Sequence, residues 1–308
     1  KVFISNICGE NLSRVRTMES TIGYLLHGWK NLSYCPAIIL NDEVISDNPE
    51  GGTGKGLFMN GLATMKKCVV IDGKSFNFDK SFAYQLVSAD TQILCFDDVK
   101  KNFDFERLFS VITEGLTLEK KNKDSVKIKF ENSPKIALTT NYALKGKGSS
   151  HARRKFELEL AQFYTGDFTP LIEFGKLMFG EWDDDEWCQF DNYMIQNLQL
   201  YLKEGLIKGQ FVNLDKRILS AETSHEFIEW CGLIGSEENK LLKPNLRLYK
   251  SDLYEDFINE NPDFAPKSKF TISRTRFNKW LASYSMYTYN KKPEEGRDLS
   301  GRWIMFIN

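Results

Sequence analysis

The strongest chemical signal in the 308-residue chain is the run Asp47-Asn48-Pro49-Glu50-Gly51-Gly52-Thr53-Gly54-Lys55-Gly56. Glycines let a backbone turn so that several N–H groups point into one concavity, and a helix starting at the lysine adds its positive end. That arrangement suits a phosphate group, with Lys55 placed to reach the β- and γ-phosphates of a nucleotide and Gly51, Gly52, Thr53, Gly54 and Gly56 forming the cradle. The strict pattern is G-x-x-x-x-G-K-[ST], and the chain departs from it twice. Pro49 stands where the first glycine belongs, and Gly56 where the Mg²⁺-binding hydroxyl belongs. A glycine-rich surface turn with a solvated lysine is the plain alternative.

About 40 residues after Lys55 comes Ile93-Leu94-Cys95-Phe96-Asp97-Asp98, an apolar run ending in two carboxylates. A Mg²⁺ nucleotide site needs acids delivered beside the phosphate loop: one of Asp97 and Asp98 to hold the metal or its water, the other to orient or deprotonate the attacking water. Alone, such an ending is most often a turn cap; its order after the glycine-lysine loop favours the site. A third run, Lys135-Ile136-Ala137-Leu138-Thr139-Thr140-Asn141, ends on a polar tip. Asn141 there can bond the γ-phosphate or the water, or merely begin a loop. His151-Ala152-Arg153-Arg154-Lys155 precedes a further apolar run. Arg153 or Arg154 could stabilise charge on a transferring phosphoryl group, at its own site or at a neighbouring subunit's, or could be solvated at a strand start.

The elements that must position these residues are readable from periodicity. Residues 1 to about 34 read as helical. From Cys35 short β-type runs (36–40, 68–72, 92–96, 135–141, 156–164) alternate with helical stretches (56–67, 81–89, 105–115), which argues for βα units around a mostly parallel sheet. LTLEKK and VKIKFE flank the polar turn Asn122-Lys123-Asp124-Ser125, a hairpin signal. A stretch from about 166 to 238 is helical and acidic, and the acids Asp183 to Glu186 within it read as a solvated face rather than a metal site. The last part, about 239–308, is basic. Its helices, followed by a ribbon of 286–290 and 302–308 around a charged loop, read as a winged-helix module.

The order of motifs resembles the superfamily 3 helicases, the AAA+ ATPases of viral, phage and plasmid replication proteins, and most of all the helicase part of phage-type primase-helicases. The likeness spans roughly residues 20 to 165 and rests on Glu50 to Gly56, on Cys95-Phe96-Asp97-Asp98, on Ala137 to Asn141, and on Gly115 to Lys123 between the last two. It implies an α/β fold with a P-loop AAA+ type parallel sheet flanked by helices. It also implies ATP and Mg²⁺ as cofactors, and a homo-oligomeric ring, with six subunits the expected number, around single-stranded DNA. Lys55 would contact phosphates, Asp97 would serve Mg²⁺, Asp98 would activate water, Asn141 would be the sensor and Arg153 or Arg154 the finger. The segment between the second and third motifs would hold DNA in the ring channel, with Lys120, Lys121 and Lys123 near its tip binding phosphates without regard to sequence.

Composition bounds the rest. Lys+Arg 41 against Asp+Glu 42 leaves a net charge of −1, and 42% hydrophobic residues support a large core. The near-neutral sum hides unlike parts: residues 100–155 hold 14 basic residues and 6 acids, whereas 165–238 hold 5 and 15. The expected organisation is an N-terminal helical segment (1–34), the ATPase domain (35–165), the acidic helical region (166–238) and the winged-helix-like domain (239–308). Six singly placed cysteines fit reduced thiols. No run approaches the roughly 18 to 20 apolar residues of a membrane span, and the first residues are no signal peptide, so a cytoplasmic protein without membrane contact is expected. The start at Lys1 suggests part of a longer protein, with a primase domain upstream as one possibility. The competing expectation is a nucleotide-switched DNA-binding replication initiator with weak or no hydrolysis, which Gly56 favours.

Overall fold

The computed structural model describes the chain except residues 45–50, 120–123, 145, 147, 236–238 and 240. It divides into two compact units, Lys1–Asn213 and Leu214–Asn308.

The first unit opens with helices α1 (Val2–Ile7) and α2 (Leu12–Leu26). Then come β1 (Ala37–Asp42), α3 (Lys55–Ala63), β2 (Cys68–Asp72), β3 (Ile93–Val99) and α4 (Phe109–Thr113). A hairpin of β4 (Gly115–Leu118) and β5 (Val126–Lys129) precedes β6 (Lys135–Thr140), α5 (Ser149–Ala152) and β7 (Lys155–Leu160). Helices α6 (Pro170–Phe174) and α7 (Asp184–Glu204) complete the unit.

Five strands form one parallel sheet in the order β2-β3-β6-β1-β7. Every residue of β1 and β6 is buried, which is why Ala37–Leu40 and Ile136–Leu138 read as short continuous apolar runs rather than as alternating ones. Successive side chains serve opposite layers. Ile38 and Leu40 join a cluster with α1, α2, α3 and α7; Ala37 and Ile39 join one with Phe105, Leu108, Leu116 and Ile128. The α2–α7 crossing is close because Gly23 has no side chain: a Cβ there would stand 2.1 Å from the Asn197 carbonyl oxygen. The acid run begins α7 as a capping box, Asp183 accepting from the Glu186 N–H at 2.9 Å and Glu186 accepting from the Asp183 N–H at 3.1 Å.

The second unit holds α8 (Leu214–Glu222), α9 (His225–Trp230), β8 (Leu248–Tyr249), α10 (Lys250–Glu260), α11 (Arg274–Tyr289), β9 (Glu294–Asp298) and β10 (Gly301–Met305). Its strands form an antiparallel sheet in the order β8-β10-β9. Phe227, Phe257, Phe277 and Trp280 are buried together. The acidic stretch expected as one region thus supplies α6 and α7 to the first unit and α8 and α9 to the second.

Three sequence expectations are corrected. Residues 81–89 form turns rather than a helix, and Phe82 takes a left-handed φ of 63°. Residues 286–289 are not a strand but the end of α11, where half-buried Tyr289 stacks on Phe306 beside buried Tyr284; these ring contacts, made from one helix face, override the β preference of the aromatics. The outer strand β9 lies instead inside the charged loop. The N-terminal helical reading holds only to Leu26. Among the described residues no helix is long and apolar enough to cross a membrane, and all six cysteines are free.

Candidate nucleotide site

Strands β3, β6 and β1 are parallel neighbours, so their carboxyl ends lie on one edge, with Asn41 level with Thr140 and Thr140 level with Val99. Open parallel sheets bind ligands at that edge. Lys55 begins α3 behind a loop in which Gly51, Gly52 and Gly54 all take left-handed φ (73°, 79° and 96°). Cβ atoms on Gly51 or Gly52 would meet nothing within 4 Å, so these two border open space. Gly54 is different: a Cβ there would press on Phe3 and Ile7 of α1 at 3.0 Å, so glycine is required both for its φ and for the close approach.

The Lys55 ammonium donates to Asn141 Oδ1 and to Asp42 Oδ1, each at 2.5 Å. Asp42 also accepts from the Thr53 hydroxyl at 2.5 Å. The group is well enclosed: relative side-chain exposure is 12% for Lys55 and 6% for Asp42, and Thr53 is buried. Sequence reading brought Lys55, Thr53 and Asn141 to the site but missed Asp42. Its only signal was a carboxylate ending the apolar run of β1, as Asp97 and Asp98 end that of β3.

The acid pair sits where the β3–β6 register shifts, between Phe96 and Val99. Asp98 takes a φ of 53°, uncommon for a residue with a side chain and characteristic of bulges that re-aim side chains. Thr139 of β6 holds both acids: its hydroxyl donates to Asp97 Oδ1 at 2.6 Å and accepts the Asp98 N–H at 2.7 Å. Asp98 Oδ2 pairs with Lys74 Nζ at 2.5 Å, which raises the lysine pKa. Lys74 is largely exposed and Asp98 partly so, so solvent screens the pair and it is readily exchanged. Thr139 and Lys74 were not foreseen as site residues.

Gly56 is exposed, and a Cβ there would meet nothing. Among the described residues no three His, Cys, Asp or Glu groups could hold a metal by themselves. The carboxylates nonetheless fit Mg²⁺, which takes oxygen donors and is usually held by one or two carboxylates plus phosphates and water.

Arg153 and Arg154 lie elsewhere. The Arg154 carbonyl accepts the Ala37 N–H at 2.9 Å, which puts both at the amino ends of β7 and β1. The six residues of β1 separate them from the glycine-lysine loop by roughly 20 Å, more than an arginine side chain spans. In this arrangement both arginines lie nearer the amino ends of the strands than the edge that holds Lys55. The Arg154 guanidinium lies over the Phe109 ring at 4.5 Å, while Arg153 is exposed. Lys120, Lys121 and Lys123 lie outside the described residues; on the adjoining β5, Lys127 and Lys129 are exposed beside buried Ile128.

Residues 48–154 match a family described as a family of unknown function, DUF5906. No curated protein matches the chain. Among solved structures it is similar to the apo A form of the NrS-1 C-terminal region, with 14% identity and a TM-score of 0.45 over 99% of this chain and 74% of that one. A second structure of that region, covering its residues 305–718, gives 13% identity and 0.44 over 100% and 74%.

Proposed function

We propose that this chain is the ATPase motor of a DNA helicase or translocase from a phage, plasmid or mobile-element replication system, acting as an oligomeric ring on single-stranded DNA within a larger primase-helicase. The observation that carries the proposal is the convergence, on three adjoining strand ends, of Lys55 behind its left-handed glycine loop, Asn141, and the Asp97–Asp98 bulge. The sheet order supports an AAA+ assignment for the first unit. The helices and three-stranded sheet of the second support a winged-helix reading.

In this reading Lys55 and the loop N–H groups bind the triphosphate, so that its charge is met by preorganised donors. Asp97 would hold Mg²⁺ through its carboxylate, an ion that would supply charge neutralisation at the phosphate oxygens. Asp98 gives up Lys74, orients the attacking water and accepts its proton, while Asn141 bonds that water or the γ-phosphate. Thr139 keeps the two acids in register. Arg153, exposed at the opposite sheet edge with its Nε donating to the Ser149 carbonyl at 3.4 Å, leaves that bond to stabilise the transferring phosphoryl group of a neighbouring subunit. DNA contacts come from Lys120, Lys121 and Lys123 on the hairpin.

Lys55→Ala and Asp98→Asn should each lower DNA-stimulated ATP hydrolysis by about 100-fold or more. Rates equal to wild type in both variants would sink the enzyme reading. One observation favours the runner-up, a nucleotide-switched initiator: the chain has no hydroxyl at Gly56, and the Thr53 hydroxyl is already given to Asp42. Tight nucleotide binding without DNA-stimulated turnover would select it.

A further inference from the structure

Asp42 has no part in the scheme above, yet it is the carboxylate closest to the lysine that scheme depends on. It ends β1 one residue beyond Asn41, and Asn141 follows β6 one residue beyond Thr140, the residue level with Asn41. The two side chains therefore flank one point, and Lys55 Nζ occupies it, 2.5 Å from each. Asn141 offers a neutral oxygen; Asp42 offers a charge, in surroundings that leave it 6% exposed. A buried carboxylate is tolerated when an opposite charge and further hydrogen bonds meet it. Lys55 supplies the first and the Thr53 hydroxyl one of the second. Thr53 and Lys55 flank Gly54, so a single carboxylate ties down both sides of the left-handed turn at the start of α3.

From this geometry we infer that Asp42 is a positioning residue that competes with phosphate for Lys55. In the nucleotide-free protein it draws the ammonium back against the end of β1, and an incoming triphosphate must take or share that ammonium. The proposal rests on the nucleotide reading of the site and adds a direction to it: the negative charge at residue 42 opposes nucleotide binding, whereas charge at Asp97 serves it.

Asp42→Asn is the informative variant, because an amide oxygen can still accept from Thr53 and Lys55 while the charge is gone. The experiment is a titration of wild type and Asp42→Asn with a fluorescent ATP analogue in the presence of Mg²⁺. The dissociation constant should fall about tenfold in the variant, the scale expected for losing one competing close charge pair. An unchanged or weaker affinity in Asp42→Asn, with wild type still binding, overturns the competition and leaves the nucleotide site standing. Absence of binding by both proteins overturns the nucleotide reading and the competition with it. A second measurement needs no nucleotide: a double-mutant cycle of Asp42→Asn and Lys55→Met on denaturant unfolding. Strong coupling between the two positions supports the held state, and additive effects overturn it.

Discussion

Lys135 begins the strand that Asn141 follows, and its ammonium lies at the opposite end of the sheet from the site. It donates to the carbonyls of Tyr24 at 2.5 Å and His27 at 2.7 Å, the last turn of α2, and lies over the Tyr24 ring at 4.0 Å. Burial pushes its pKa down to about 7. A neutral amine still has the two N–H groups those carbonyls need, so losing the proton relieves desolvation without breaking the cap. The sign follows from proton counts: between about pH 7 and the ordinary lysine value the unfolded chain binds one proton more than the folded one, so stability rises with pH in that window. The difference in unfolding free energy between wild type and Lys135→Met should therefore grow by a few kcal/mol from pH 7 to 10. A difference flat across that range would show that Lys135 titrates normally.

Helix packing places equally sharp demands on α2 and α7. Gly23 lets the two backbones approach until the missing Cβ would overlap the Asn197 carbonyl and reach 2.6 Å from Tyr201 Cβ. Backbone cannot move aside as a side-chain tip can, so Gly23→Val should cost about 2 kcal/mol or more, read from denaturant unfolding. At Gly28 a Cβ meets nothing within 4 Å, and Gly28→Ala should stay within about 0.5 kcal/mol. The β3–β6 register shift is the counterpart in the sheet, since it turns the last acids of β3 toward Thr139 instead of continuing the pleat. The end of the first unit is also tied to the sheet edge that carries Asp42 and the candidate site. The Glu159 carboxylate accepts the Val212 N–H at 2.5 Å, and Asn213 Nδ2 donates to the Glu43 carbonyl, next to Asp42, at 3.1 Å.

With the arginines on the far edge of the sheet, hydrolysis in the proposed scheme requires self-association. A mixture of Lys55→Ala and Arg153→Ala chains, each inactive alone, should recover part of the ATPase, because mixed assemblies restore interfaces with an intact loop on one side and an intact arginine on the other. No recovery, or a monomeric mass with nucleotide and single-stranded DNA, would remove Arg153 from the mechanism. Much of this molecule was legible in its residues: five apolar runs became the five strands of the sheet, the glycine-lysine loop did precede a helix, and Asn141 did meet Lys55. These features are local, written in short continuous apolar runs, in glycines crowded ahead of a lysine and in polar residues where apolar runs stop. Asp42 was not legible, because its role depends on β1 lying beside β6, whose Asn141 is 86 residues from Lys55 in the chain. Nor were the shared hydroxyl of Thr139, the helical fate of 286–289 or the far position of Arg153 and Arg154. Each follows from which strand ends lie level and which surfaces become buried, and long-range packing settles both where local preference is weak.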